Sequence, residues 1–182
     1  IAPRERFTWF METLPALAGG LVLAFTRRRF PLTDLTYLAV FLFAVILMVG
    51  GHWTYAEVPV GFAVRDALGL ERNHFDRLGH LFQGLAPALV ARELLVRTTP
   101  LRAGAWAGVL SVPAAVSISA LYEIFEWFYA VAFGGDQAER FLGSQGDPWD
   151  AQMDMTMALC GAVLAQLLLG RSHDRSMRRV AG

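Results

Sequence analysis

From Leu35 to Gly51 the chain runs LTYLAVFLFAVILMVGG without one charged side chain. As a helix rising 1.5 Å per residue, this run covers about 25 Å. The hydrocarbon core of a bilayer is roughly 30 Å thick. A charge-free stretch of this length therefore reads as a membrane span, and it limits what the rest of the chain can be.

Four other segments have similar character. Phe7 to Phe25 is apolar and stops at Arg27, Arg28 and Arg29. His74 to Leu95 is less apolar, with its polar residues crowded into the first two turns. Leu101 to Phe133 would reach about 50 Å as one helix, so it is expected to tilt, protrude or bend at Pro113. The last span opens at Pro148 or Trp149, with proline suited to a first helical turn, and runs to Leu169. Arg171 to Arg179 then reads as a solvated basic tail, with His173 inside it. The chain begins at Ile1 rather than methionine, which leaves room for a further span ahead of it.

The expected fold is all-α: a polytopic membrane bundle of about five transmembrane helices, with residues 1–182 as a single integral membrane domain. Between the second and third spans, Val58 to Leu70 is too short and polar to cross. Phe62, Val64, Ala67 and Leu68 among Arg65, Asp66 and Glu71 suggest a short interfacial helix, serving as a lid or as a packing surface for another subunit. Composition agrees with a membrane assignment. The chain is 55% hydrophobic and 18% charged, against about 25% charged in soluble domains. That excludes a disordered chain and an ordinary water-soluble enzyme. Sixteen basic residues balance sixteen acids, so nothing draws the chain to nucleic acid. Cys160 is the single cysteine, and no intrachain disulfide can form.

All sixteen basic residues are arginine. Five alternating spans put ten of them at one end: Arg27, Arg28, Arg29, Arg92, Arg97, Arg102, Arg171, Arg175, Arg178 and Arg179. The positive-inside rule makes that end cytoplasmic, with the carboxyl terminus there. Only Asp34, Glu93 and Asp174 among the acids share it, so thirteen of sixteen acids belong to the outer end.

Ionisable groups near a membrane interior are costly unless paired, hydrated or metal-bound, and they point to function. Each span brings some to the outer end. Span one carries Glu12. Span two ends in His52, Tyr55 and Glu57. Span three opens with His74, Asp76, Arg77 and His80; Asp76 and His80 are four apart and share a helix face. Span four supplies Glu123 and Glu126, and span five follows Asp147 with Asp150 and Asp154. These thirteen residues form the candidate polar cluster. So many carboxylates cannot all remain ionised in a partly dry site: either some are protonated with raised pKa, or cations, Arg77 or a divalent metal, neutralise them. Carboxylates with histidine inside helix bundles hold iron, manganese or zinc. His80, Asp76, Glu123, Glu126, Asp150 and Asp154 are the candidate ligands. The spacing matches no Glu-x-x-His or His-Glu-x-x-His signature and there is no cysteine set. Blander readings stand beside this one: Glu123 and Glu126 as interfacial residues, His74 as a helix cap, and Trp9, Trp53, Trp127 and Trp149 as an aromatic belt.

The runs RFTWFMETLPAL, LMVGGHWTYAEVPVG, RNHFDRLGH, ALYEIFEW and GSQGDPWDAQMDM resemble the YjdF-like family of bacterial inner-membrane proteins, a domain of unknown function, over nearly the whole chain. The resemblance implies a multispanning inner-membrane protein and supplies no reaction, substrate or cofactor. Two functions follow from the residues. In the first, the outward-facing cluster binds a metal for chemistry on a small or lipid-like substrate. In the second, the chain is an accessory subunit of a larger membrane assembly, and the cluster is a hydrogen-bond network that fixes helix register. The expected partners are the lipid bilayer and other membrane subunits, with no nucleic acid. Haem or chlorophyll ligation by His52 or His80 is disfavoured by the surrounding carboxylates.

Overall fold

The computed structural model describes residues 2–135 and 141–180. Six helices run through them: α1 (Arg6–Thr26), α2 (Asp34–Trp53), α3 (Pro59–Leu68), α4 (Phe75–Thr98), α5 (Ala105–Phe133) and α6 (Asp150–Val180). No strand occurs among the described residues. Four of these helices, α1, α2, α5 and α6, are long and apolar enough to cross a membrane.

The fifth expected span, α4, is 24 residues long, about 36 Å at 1.5 Å per residue. Its length suffices, and its lower hydropathy has a structural cause. Eleven of its residues are buried, against three in α1. α4 packs against α2, α5 and α6, so much of its surface meets protein instead of lipid. Polar residues there can be satisfied by neighbouring helices, as membrane interiors require.

Small residues set the closest packing. A Cβ at Gly84 of α4 would fall onto the Ala158 carbonyl oxygen of α6, and one at Gly161 of α6 onto the Leu81 carbonyl of α4. Ala86, Ala88, Ala158, Ala162 and Ala165 are fully buried. With no hydrophobic drive between helices inside lipid, such close backbone approach supplies the packing energy. Outward faces carry large apolar side chains, including Phe25, Phe41, Leu121 and Leu167.

Local signals explain the helix ends. Glu5 caps α1 by accepting from the Phe7 and Thr8 amides, and Thr33 caps α2 by accepting from Thr36 N. α2 stops where Thr54 and Tyr55 take left-handed conformations at φ 59° and 47°. α3 starts at Pro59 and ends at Gly69, φ 64°, where glycine tolerates the left-handed turn. Pro113 does not interrupt α5, which is continuous over 29 residues.

Two expectations need correcting. The basic tail is not a solvated tail. α6 continues through it, by way of a π-helical stretch at Ala165–Leu169, to Val180. His173 is fully buried; its Nε2 lies 3.1 Å from Glu93 Oε2 and 3.0 Å from Thr36 Oγ1. Arginines facing outward hid an inward stripe of Gly170, His173 and Met177. Nor does α3 cover the polar cluster. Gly61 packs on the Asn73 side chain, while Val60, Val64 and Leu68 point away from the protein.

Candidate functional site

The amino-terminal ends of α1, α4 and α6 and the carboxy-terminal ends of α2 and α5 meet at one end of the bundle. Thus Glu12, Tyr55, Asp76, Arg77, His80, Glu123, Glu126, Asp147, Asp150 and Asp154 come together there. The other three candidates do not. His52 stacks edge-on against Trp53 with ring centroids 5.1 Å apart. Glu57 is exposed and pairs with Arg4 at 2.6 Å. His74 is exposed at the N-cap of α4 without a capping hydrogen bond. Desolvation and the nearby Arg72 and Arg77 lower its pKa.

At the centre is His80, buried on the face it shares with Asp76. One ligand atom each from Asp76, His80 and Asp154 lies within 4.8 Å of the others. His80 Nε2 is 3.6 Å from Asp76 Oδ1 and 3.7 Å from Asp154 Oδ1. On the opposite side of the ring, Nδ1 is 3.6 Å from Glu123 Oε1. That separation is too long for a hydrogen bond. Both atoms are buried without a hydrogen-bond partner, as is the Gln83 Oε1 atom one turn away.

Arginines organise the flank. Arg77 donates to Asp154 and, at 2.6 Å, to Asp150 Oδ1. Arg72 reaches the same Asp150 oxygen at 2.6 Å and the Ser144 carbonyl at 2.5 Å. Asp147 stands 3.5 and 3.6 Å from the two guanidinium groups. Beside them, the Asn73 backbone N–H donates to Gln145 Oε1, and Gln145 Nε2 donates to the Asn73 backbone carbonyl. Sequence reasoning passed over Arg72, Asn73 and Gln145. The adjacency of Arg72 to the Asn-His-Phe-Asp-Arg run was the available signal.

A cavity of about 90 Å³ adjoins the histidine, room for several waters. Glu12, Tyr55, Asp76, His80, Gln83, Tyr122 and Glu126 bring polar groups to a lining that is otherwise largely apolar. Tyr122 donates to Glu12 at 3.1 Å. The Tyr55 ring fits because Gly50 lacks a side chain: a Cβ there would overlap the ring. Phe141, Leu142 and Gly143, not α3, line its remaining side. Phe141 is held by edge contacts to Phe7, Phe125 and Tyr129.

A second polar group, which the sequence reading missed, lies at the other end. Glu93 is fully buried and accepts from Thr33 N and Oγ1, Thr36 Oγ1 and Arg97 Nη1 at 2.6 to 3.1 Å. With His173 it ties α2, α4 and α6 together.

Long apolar helices around a buried carboxylate and histidine group define a multispanning helical membrane protein. The chain belongs to the family described as "Predicted membrane protein (DUF2238)", which it matches over residues 1–175. It is 51% identical over 179 residues to the inner membrane protein YjdF of Escherichia coli (strain K12), covering 98% of this chain and 85% of that protein. No solved structure matches it. It is a multipass protein of the bacterial inner membrane.

Proposed function

We propose that Asp76, His80 and Asp154 hold a divalent metal ion that serves chemistry on a small or lipid-like substrate in the adjoining cavity. The observation that carries this reading is the approach of one ligand atom from each residue to within 4.8 Å. Bonds of about 2.0–2.2 Å to nitrogen and oxygen place neighbouring ligand atoms roughly 3 Å apart. Separations of 3.6 and 3.7 Å are therefore near ligation geometry.

Two carboxylates and one neutral imidazole balance a divalent charge and leave coordination positions for substrate. Glu123 faces the other imidazole nitrogen, where a carboxylate fixes the tautomer of a metal-bound histidine. Arg77 and Arg72 balance Asp150 and Asp147, so Asp150 acts beside the metal rather than on it. Glu126 and Glu12 lie across the cavity with Tyr122 and Tyr55, where they offer proton donors and acceptors to a bound substrate. In this reading residues 1–182 form one integral membrane domain, with the cluster facing outward and the carboxyl terminus in the cytoplasm.

One observation favours a second reading. Arg77 already contacts Asp154 and Asp150, so the same residues suit a closed ion-pair network in an accessory subunit. Metal content and thermal unfolding separate the two. Protein purified without chelator is expected to carry metal and to melt higher as manganese, zinc or iron is added, by mass action on the folded state. Chelator should reverse the gain and His80→Ala should abolish it. A melting temperature indifferent to all three metals, in protein free of stoichiometric metal, would leave the network reading in place.

A further inference from the structure

The cavity beside His80 does not end among polar residues. Pro15, Phe43, Leu47 and Ile118 line both it and a second space of about 420 Å³. That second space is a groove walled by α1, α2, α4 and α5, and its lining is almost wholly apolar. α1 packs along α2. It meets α5 at the carboxylate end, where Phe7 stacks on Tyr129 and Tyr122 donates to Glu12. Beyond those contacts the groove separates the two helices. It follows α1 from Pro15 to Leu23 and α4 from Ala86 to Leu94, about 12 Å at 1.5 Å per residue. This is most of one leaflet of a ~30 Å hydrocarbon core.

We propose that this groove seats the hydrocarbon chain of an anionic-headed lipid whose head group reaches the carboxylate and histidine cavity. The shared lining carries the argument: an occupant of the groove that extends toward Pro15 and Leu47 comes up against the same four side chains that border the cavity of Asp76 and His80. A groove opening among lipid-facing helices fills with hydrocarbon, because water there would have no polar partner. The anionic head rests on the metal reading above, since a cation held by Asp76, His80 and Asp154 is what would attract it past so many carboxylates.

Gly19 and Gly20 offer a paired test. A Cβ at either meets nothing within 4 Å, but Gly19 lines the groove and Gly20 does not. The full chain, in phosphatidylcholine nanodiscs, is photolabelled with a diazirine-bearing hexadecyl phosphate, and the labelled peptides are mapped with manganese or with chelator present. Labelling is expected to concentrate on residues 15–23 and 86–94, to be lost in Gly19→Trp and to persist in Gly20→Trp. If Gly19→Trp does not fold, Ala91→Phe blocks the same groove from α4. Labelling spread over the outward faces of all helices, or unchanged by blocking the groove, would overturn the proposal. Bound manganese with unspecific labelling would remove the chain site and keep the metal. Specific labelling indifferent to manganese and chelator would keep the chain site and remove the metal.

Discussion

A buried carboxylate is tolerable when donors surround it, and Glu93 is the clearest case in this protein. Its two oxygens accept from Thr33, Thr36 and Arg97, with His173 beside them. Breaking a buried pair by removing one partner strands the other charge, at a cost of about 3–5 kcal/mol. Glu93→Ala should therefore lower the melting temperature sharply, whereas Glu71→Ala, at an exposed position, should leave it nearly unchanged. Equal melting of the two variants would refute the network. At the opposite end, Asp154→Ala removes a partner of Arg77 and His80. Each unmet buried group costs about 1–3 kcal/mol. Glu57→Ala loses only an exposed pair with Arg4, worth at most about 1 kcal/mol. Denaturation in detergent should rank Asp154→Ala well below Glu57→Ala, and the reverse order would count against a buried cluster. Ten of the thirteen cluster residues come together because the alternating helices bring their segments to one end of the bundle, and that grouping follows from their positions along the sequence. His52, Glu57 and His74 lie at the same end but are engaged elsewhere or exposed, and position along the chain carries no side-chain direction. Glu93 was read only as a charge at the cytoplasmic end, because apart from Arg97 its partners come from residues about 60 and 80 positions away.

Among the elements, α4 is the one whose sequence understates its role. Lipid-facing helices must be apolar, so their hydropathy announces them, as α2 does at Leu35–Gly51. A helix surrounded by others can carry Asp76, Arg77, Arg92 and Glu93, and its hydropathy falls accordingly. The signal that remains is its run of small residues. Gly84→Leu would drive a side chain into the Ala158 carbonyl, and Gly161→Leu would do the same at Leu81. Backbone cannot yield as a flexible side chain can, and overpacking typically costs about 1–3 kcal/mol, occasionally more. Both variants should lose monodisperse yield on size-exclusion chromatography, while Gly20→Leu, which meets open space, should behave as wild type. Wild-type yield from Gly84→Leu would show that α4 and α6 do not touch there. The end of α6 was misread for a related reason. Arg171, Arg175, Arg178 and Arg179 raise the polarity of the segment enough to look like a tail, although one face of the helix, carrying Gly170, His173 and Met177, is buried.

On the scale of the whole molecule, the helices alternate so that charge separates along the bundle. Among the described residues, the end that carries Arg97 and Arg178 holds ten arginines against three acids, and the carboxylate end holds five against eleven. The fold sharpens this asymmetry at one end and blunts it at the other. Arg92 and Arg97 are consumed internally, by Asp174 and Glu93. Arg27, Arg28, Arg29, Arg102, Arg171, Arg175, Arg178 and Arg179 stay at the surface or partly so, where the positive-inside rule acts on them. At the carboxylate end Arg72 and Arg77 are tied to Asp150, which leaves few arginines there to oppose export. The expected orientation is therefore the carboxylate end outside and Arg178 inside. With Cys160 replaced by alanine, Glu71→Cys and Arg102→Cys place single thiols at exposed positions on opposite ends. In intact cells stripped of their outer membrane, an impermeant maleimide should label Glu71→Cys directly and Arg102→Cys only after the inner membrane is opened. The opposite pattern would turn the protein over and place the carboxylate and histidine group on the cytoplasmic side.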